Sequence, residues 1–227
     1  MEKLTSKKAY EILTKDVIND VDDLVKPENK WVHHCIFVSL AAERIARYLN
    51  LDSDYAKSLA LIHDIGRKIS HPNHVIEGYN YMVNEGYIEE ASICLTHSFI
   101  DNEILMTAGG GPETKEAYEY IADYLNKREV TIYDNIVQLC DLFCLETGFT
   151  TIENRLLDIS KRKGIYPNSY DHVNKAMELK ERIESMLGCN LYDIFPEIKK
   201  EDLENIQRHN EELFKLVKHP TKQLIKI

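Results

Sequence analysis

The chain has 227 residues, which suits one domain or one domain plus an appendage, and 44% of them are hydrophobic, enough for a sizeable core. Its 28 lysines and arginines and 38 aspartates and glutamates give a formal net charge of -10. This charge argues against a nucleic-acid polymer as partner, because such proteins carry a basic face. The sequence contains no uncharged apolar run of about 18 residues and no apolar signal region, so we expect a cytoplasmic protein without a membrane partner.

Apolar residues recur at helical spacing along the chain, and the fold class predicted from them is all-α. The pattern predicts a first helix from residue 7 to about 24, broken at Pro27, and a second from about 30 to 49. Further helices are predicted at about residues 53–64, 73–84, 88–96, 113–126, 131–145, 152–163, 173–187 and 200–217. We interpret this order as a compact helical bundle with additional N- and C-terminal helices.

The third predicted helix ends in two adjacent polar residues, His63 and Asp64. We predict Ser53 as its N-cap, and Ala60, His63 and Asp64 then fall close together on the buried face. A buried carboxylate must be paired, protonated or bound to a cation, and a metal ion meets that requirement for both side chains. Gly66 is predicted to let the chain turn away at the helix end.

Other polar residues also interrupt apolar faces. His34 stands four residues before Val38 in the second helix, and Asp141 lies inside the apolar face of a later one. His74 opens a helix and His97 ends one, for which an exposed helix start and a C-terminal cap are ordinary explanations. Together with the doublet, however, His34 and Asp141 predict a metal site, since unpaired buried carboxylates are rare.

Imidazole and carboxylate ligands suit borderline metals, so the predicted cofactor is one or two divalent ions of iron, manganese, nickel, cobalt or zinc. Four such ligands leave room for a water, which a metal activates as a hydroxide nucleophile. Arg67 or Lys68, just past the doublet, is expected to hold a phosphate oxygen. These features predict a small phosphorylated substrate as the partner.

An ordered set of residues resembles the HD-domain superfamily of metal-dependent phosphohydrolases. The set is His34 followed by Val38 and Ala42, then His63-Asp64-Ile65-Gly66, then Leu139-Cys140-Asp141. The resemblance implies an HD-type bundle with a metal-binding core at residues 30–145, an N-terminal helix at 1–29 and a C-terminal helical extension at 146–227 packed on the core. Arg67 stands where the family more commonly has a lysine, which leaves the charge in place.

Some members of the superfamily have two further histidine ligands between the doublet and the last aspartate, and His74 and His97 fit that order. His71 competes with His74, but it precedes the predicted helix. The resemblance then implies two metals, which we expect about 3.5–4 Å apart and bridged by Asp64. The full predicted site comprises the metal ligands His34, His63, Asp64, His74, His97 and Asp141 and the catalytic residues Asp64, Arg67 and Lys68.

Other conspicuous residues receive structural interpretations. The five cysteines are predicted to be free thiols, mostly buried, because they lie mostly inside apolar helical patterns and the expected compartment is reducing. A structural zinc at Cys140 and Cys144 is not expected, because no second cysteine pair completes the site. The glycines at 109–111 are interpreted as a mobile loop near the pocket mouth. Four histidines are interpreted as surface or packing residues: His33, His172, His209 and His219.

Three functions are consistent with the sequence. The first is hydrolysis of a small phosphate ester, in particular a nucleotide, by a metal-activated hydroxide. The alternatives are an HD-type di-iron oxygenase, of which inositol oxygenase is an example, and a non-catalytic metal-containing sensor or scaffold. The ligand set by itself does not separate the hydrolase from the oxygenase, and the substrate, the metal and the oligomeric state stay open.

Overall fold

A computed structural model of the protein describes residues 3–18, 21–24, 26–109, 111–112 and 114–224. Over these ranges the chain forms twelve α-helices and one two-stranded hairpin, so the all-α prediction is confirmed. The helices are α1 (Ser6–Thr14), α2 (Val21–Leu24), α3 (Lys30–Tyr48), α4 (Ser53–Ile62), α5 (His74–Asn84), α6 (Ser92–Thr96), α7 (Lys115–Lys127), α8 (Ile132–Asp141), α9 (Ile152–Lys163), α10 (Ser169–Leu187), α11 (Lys200–Glu204) and α12 (Ile206–Val217). Strands β1 (Cys144–Leu145) and β2 (Gly148–Phe149) pair antiparallel. Gly110 and Glu113, predicted in the glycine loop and at a helix start, lie outside the described residues.

The first predicted helix is shorter than expected. Helix α1 ends at Thr14, Asp16 has a left-handed φ of 61°, and α2 begins at Val21. Residues with a side chain reach that region at a steric cost, and an α-helix does not continue through it. A single helix over residues 7–24 is therefore wrong, and its residues 19 and 20 lie outside the described part of the chain.

Helices α3 and α4 pack side by side through small buried residues, among them Ala42 on α3 and Ala60 on α4. Small side chains allow the two helix axes to approach closely. Helix α4 begins after Asp52, whose carboxylate accepts the amide of Tyr55 at 3.0 Å. Asp52 rather than Ser53 is thus the N-cap, because its side chain satisfies a free amide of the first turn.

After α4 ends at Ile62, Gly66 lies in a short 3-10 helix, Ile65–Lys68, and it has no positive φ. A Cβ atom at Gly66 would stand 2.0 Å from the carbonyl oxygen of His74 and 2.4 Å from the amide nitrogen of Gly78. The backbone of α5 therefore approaches the His-Asp doublet so closely that only glycine fits. This contact places His74 beside Asp64.

Helix α8 carries Asp141 at its end and stops earlier than predicted. A capping box begins it: the Thr131 hydroxyl accepts the amide of Asp134, and the Asp134 carboxylate accepts the amide of Thr131. Beyond Asp141 the chain enters the hairpin, where the Thr150 amide donates to the carbonyl of Phe143 at 2.9 Å. The predicted helical extension past Asp141 is wrong, because hairpin hydrogen bonds replace the helical ones there.

The hydrophobic core contains residues from all three predicted segments of the chain, residues 1–29, 30–145 and 146–227. One cluster contains Leu4 from the N-terminal segment, Ile62 from the central segment and Phe195 from the C-terminal segment. All five cysteines are free and four are buried, as predicted. None of the described helices is long and apolar enough to span a membrane. The division of the chain at residues 29 and 145 stays a prediction.

Candidate metal centre

Six side chains from five parts of the fold converge. Helix α3 carries His34, the end of α4 leads into His63 and Asp64, α5 starts with His74, His97 directly follows α6, and Asp141 ends α8. Their donor atoms form two groups, His34–His63–Asp141 and Asp64–His74–His97, and within each group these atoms lie within 4.8 Å of one another. The structure therefore brings together all six residues that the sequence proposed as ligands.

The first group combines neutral imidazole with an ionised carboxylate. His34 Nε2 and Asp141 Oδ1 are 2.8 Å apart, and the ring centroids of His34 and His63 are 5.3 Å apart. Burial lowers the pKa of His63 to about 4, so this ring is neutral near pH 7. Burial opposes ionisation of Asp141, but the adjacent His34 holds the pKa of the carboxyl well below its usual range. Such a donor set suits a borderline divalent metal.

The second group is arranged around Asp64. Its Oδ1 lies 3.2 Å from His74 Nε2 and 3.5 Å from His97 Nε2. Burial opposes ionisation of Asp64, but the Arg67 guanidinium and the neighbouring histidines hold the pKa of the carboxyl well below its usual range. Burial also lowers the pKa of His74 to about 4. Near pH 7 the group therefore contains an ionised carboxylate next to a neutral imidazole.

The backbone orients three of the histidine rings. The Nδ1 atoms of His63, His74 and His97 lie 2.7, 2.9 and 3.0 Å from the carbonyl oxygen of the residue three positions earlier. A carbonyl oxygen only accepts, so Nδ1 carries the proton and Nε2 keeps its lone pair. Hydrogen bonds of this kind fix the tautomer and direction of metal-binding histidines.

Two buried atoms of the cluster show that its residues fit a cation. Within the described part of the chain, His63 Nε2 and Asp64 Oδ1 have no hydrogen-bond partner. Asp64 Oδ1 instead faces Nε2 of His74, with lone pair against lone pair, which is unfavourable unless a proton or cation lies between them. Neutral His74 supplies no proton at that position. The residues present therefore fit a divalent metal ion.

Two neighbouring side chains compete for the same atoms. The Ser98 hydroxyl lies 2.9 Å from His97 Nε2 and donates to it, but a hydroxyl hydrogen rotates readily to another acceptor. Cys35 forms a third possible ligand group with His63 and Asp64. Burial, reinforced by the Asp64 charge, raises the pKa of the Cys35 thiol well above its usual range. Because the thiolate is the metal ligand, Cys35 is the weaker candidate.

Arg67 and Lys68 have different positions. Arg67 lines the cavity next to the cluster, and its Nε donates to Asp64 Oδ2 at 2.5 Å. Lys68 Nζ donates to the carbonyl oxygens of Ile12 and Lys15, at 2.6 and 2.8 Å, near the end of α1. Lys68 is absent from the described residues that line the cavity. The structure thus brings Arg67, but not Lys68, to the predicted site.

The cluster opens into a cavity of about 1100 Å³. Pockets for small molecules typically have volumes of roughly 300–1000 Å³, so a ligand of nucleotide size fits. Its walls come from the central segment and also from α9 and α10, which follow it. Gly109 and Gly111 line the cavity, in agreement with the predicted loop near its mouth.

Among the cavity residues that were not predicted as functional are Arg155, Lys163 and His172. His172, interpreted from the sequence as a surface or packing residue, is 4% exposed, and burial lowers its pKa to about 4. Arg155 stands in the apolar stripe of α9, between Ile152 and Ile159. A charged residue on an apolar face is the signal that identified the predicted ligands, and the same signal would have identified Arg155.

The sequence pattern of the HD domain family matches residues 31–145, about half of the chain and a range that contains all six converging side chains. The chain belongs to the HD domain family. Members of this family bind divalent metals, in agreement with the unpartnered donor atoms of the cluster. The doublet that gives the family its name is His63-Asp64.

Two curated relatives also match this HD domain protein. Both are named deoxyguanosinetriphosphate triphosphohydrolase-like protein, one from Rickettsia felis (strain ATCC VR-1525 / URRWXCal2) and one from Rickettsia akari (strain Hartford). Each is 24% identical over 184 residues, which cover 71% of this chain and 47% and 46% of the relatives, respectively. The chain spans about half the length of the curated relatives it matches. No solved structure matches it significantly.

Proposed function

We propose that this HD domain protein is a metal-dependent phosphohydrolase that hydrolyses a small phosphate ester, in particular a nucleotide. The observation that carries the proposal is the pair of ligand groups at the end of a large cavity, with unpartnered Nε2 of His63 and Oδ1 of Asp64. The relatives named for a nucleotide triphosphohydrolase support the same class of reaction.

In this proposal each ligand group would hold one divalent ion, and Asp64 would be a ligand in the second group. A bound ion supplies Lewis acidity and a water whose pKa is lowered toward neutrality. The chain supplies a preorganised cage, since backbone carbonyls already hold the rings of His63, His74 and His97 in the direction of the cluster. Prior orientation avoids a reorganisation cost during the reaction.

Arg67 binds and orients the phosphoryl group. Its Nε engages Asp64, while the rest of its planar guanidinium borders the cavity. A guanidinium stays charged at all relevant pH values and recognises phosphate oxygens with paired donors. Lys68 has no role in this proposal, because two backbone carbonyls of the N-terminal segment hold its ammonium group.

Removal of a ligand charge tests the proposal. The substitutions Asp64→Asn and Asp141→Asn should each reduce phosphate release by at least about 100-fold, more than the loss of an outer contact to a metal ligand costs. Phosphate release is measured on a panel of nucleotides and phosphate esters, with metal content from elemental analysis. The matched control is Asp123→Asn, which removes an exposed carboxylate on α7 that pairs with Lys127, and it should retain full activity.

The same experiment separates the alternative functions. Bound iron with oxygen uptake and no phosphate release would indicate the oxygenase. Bound metal without turnover on the whole panel would indicate a sensor or scaffold. Near-normal phosphate release by the Asp64→Asn protein would contradict the proposed role of the cluster.

A further inference from the structure

Helix α9, which follows the matched HD segment, contributes a positively charged wall to the cavity. Arg155, Arg162 and Lys163 all line it. The carboxylates on this wall have other partners: Asp158 binds Arg162, and Glu146 lies 3.7 Å from Lys30. Among the described residues, Arg155 has only a 3.9 Å contact with Asp158, and Lys163 forms no ion pair.

The two arginines of α9 differ in their pairing. Arg162 binds the Asp158 carboxylate through Nε and Nη2, at 2.9 and 2.6 Å to Oδ2. The Nη1 atom of Arg155 lies 3.9 Å from Asp158 Oδ2, too far for a hydrogen bond. The Arg155 side chain is nevertheless only 16% exposed. Its Nε is buried and has no hydrogen-bond partner among the described residues. A buried guanidinium with an unsatisfied donor carries a desolvation cost that a bound anion would remove.

Lys163, eight residues after Arg155, extends this wall toward Arg67. Within the described ranges no carboxylate forms an ion pair with its ammonium group, although the group borders the cavity. Arg67 and Lys163 both line this cavity. Like charges that face one space repel each other, and an anion between them would stabilise both.

We propose that Arg155 and Lys163 form a second anion subsite on the α9 wall of the cavity, which binds a further phosphoryl group of the substrate. The substrate then carries a chain of phosphoryl groups, one bound by Arg67 beside the ligand cluster and the next by α9. The role of this subsite in turnover rests on the proposed function. Guanidinium and ammonium groups are the usual partners of phosphate oxygens, and the cavity volume of about 1100 Å³ accommodates a nucleoside triphosphate.

The test compares three substitutions that remove one positive charge each: Arg155→Gln, Lys163→Gln and Lys161→Gln. Binding of inorganic triphosphate to the metal-loaded protein is measured by calorimetry. Arg155→Gln should weaken binding about 10-fold, as expected for loss of a charged hydrogen bond, and Lys163→Gln should also weaken it. Lys161→Gln is the matched control on the same helix, because Lys161 pairs with Glu212 and is not among the described residues that line the cavity, and it should stay within twofold of the wild-type protein.

A kinetic readout complements binding. For a deoxynucleoside triphosphate and the corresponding monophosphate, Arg155→Gln should reduce kcat/KM for the triphosphate about 10-fold and leave the monophosphate value within twofold. Arg155→Lys should restore part of the triphosphate value. Should Arg155→Gln fail to fold in a melting assay, the comparison of Lys163→Gln with Lys161→Gln decides, because both side chains are exposed.

The outcomes distinguish this subsite from the proposed function. Triphosphate binding that depends on Arg155 and Lys163, in a protein that hydrolyses no phosphate ester, would support the subsite and contradict the function. Hydrolysis with triphosphate binding unchanged in the variants would overturn the subsite alone. An equal loss in all three variants, Lys161→Gln included, would indicate a general charge effect and would also overturn the subsite.

Discussion

Gly66 shows how the lack of a side chain positions a ligand. The 3-10 helix after the His-Asp doublet and the first turns of α5 touch backbone to backbone at Gly66 and Gly78. A larger residue at either position would separate the two segments. The position of His74 next to Asp64 therefore depends on a residue that binds nothing itself.

We expect Gly66→Ala to destabilise the protein and to weaken metal binding. The added methyl group would overlap the His74 carbonyl, where backbone must move, so the cost should be about 3 kcal/mol, the upper end for overpacking. Denaturant unfolding and metal titration measure both effects. Gly109→Ala is the control, because a Cβ there meets no atom within 4 Å. Wild-type stability of the Gly66→Ala protein would contradict the close approach.

His172 makes stability depend on pH on the acid side. Burial lowers its pKa to about 4, whereas the ring in the unfolded chain has its ordinary value of about 6.5. Between these pH values the unfolded state binds one proton more than the folded state. The contribution of neutral His172 to the free energy of unfolding is therefore complete above pH 6.5 and decreases as pH falls toward 4. One such proton corresponds to a slope of about 1.4 kcal/mol per pH unit.

We therefore expect His172→Gln to flatten the pH dependence of the unfolding free energy between pH 6.5 and 4, by about one proton. The comparison uses chelator-treated protein, in which His63 and His74 contribute the same slope to both samples. His219→Gln is the control, because this residue is exposed and its ring stays in water before and after unfolding. If the unfolding free energies of His172→Gln and wild type depend on pH in the same way, the lowered pKa of His172 is refuted.

At the residue scale, the sequence identified the six side chains that converge, but not where the side chains next to them lie. His34 and Asp141 were identifiable because a polar residue on an apolar face needs a partner. Lys68 was assigned by its distance along the chain from the doublet, which does not specify the direction of a side chain. His71, considered as an alternative to His74, is exposed, and its Nδ1 lies 3.2 Å from Arg67 Nη1.

At the scale of elements, a buried polar network connects α6 to α8 and so relates the positions of His97 and Asp141. The Asp134 carboxylate accepts the Thr96 hydroxyl at 2.7 Å and Arg128 Nη1 at 2.8 Å. Gln138 Nε2 donates to the carbonyl oxygen of Thr96 at 2.9 Å. These hydrogen bonds fix the relative positions of the two helices, although the buried Gln138 Oε1 has no partner among the described residues.

Asp134→Ala should be strongly destabilising, by about 3 kcal/mol or more, because Arg128 would lose its buried counter-charge. It should also weaken metal binding, since the α8 capping box disappears together with the link to α6. Thermal unfolding and metal titration provide the measurements. Thr114→Ala, which removes an N-cap on the exposed start of α7, is the control and should cost about 1 kcal/mol without an effect on metal binding.

Most helices were predictable from apolar periodicity, and their boundaries were less so. The C-terminal end of helix α3 agrees with the predicted end within one residue, because a long stripe of buried residues determines where the helix runs. The predicted helix at 200–217 divides into α11 and α12 at Asn205, where the backbone is not helical although apolar residues continue at helical spacing. Periodicity records which face is buried, not where the backbone turns.

For the whole molecule, the site depends on parts of the chain that are far apart in sequence. The six ligand candidates come from α3, α5, α8 and the residues that follow α4 and α6. The family resemblance extends over residues 31–145, while Arg155, Lys163 and His172 come from the chain beyond it. Helical periodicity alone does not place α9 on the cavity, since that contact depends on tertiary packing.

Because each group of ligands joins several elements, metal binding should stabilise the entire fold. A ligand that binds only the native state at a hundred times its dissociation constant adds about 2.7 kcal/mol per site to the free energy of unfolding. We expect wild-type protein to bind two ions per chain and to lose this stabilisation on chelation. The double substitution His74→Ala/His97→Ala leaves His34, His63 and Asp141 in place, so it should bind one ion and show about half the metal-dependent shift. Elemental analysis and denaturant unfolding with and without metal measure the two quantities. Two ions in the double variant, or one ion in the wild-type protein under metal excess, would exclude the second ligand group as a metal site.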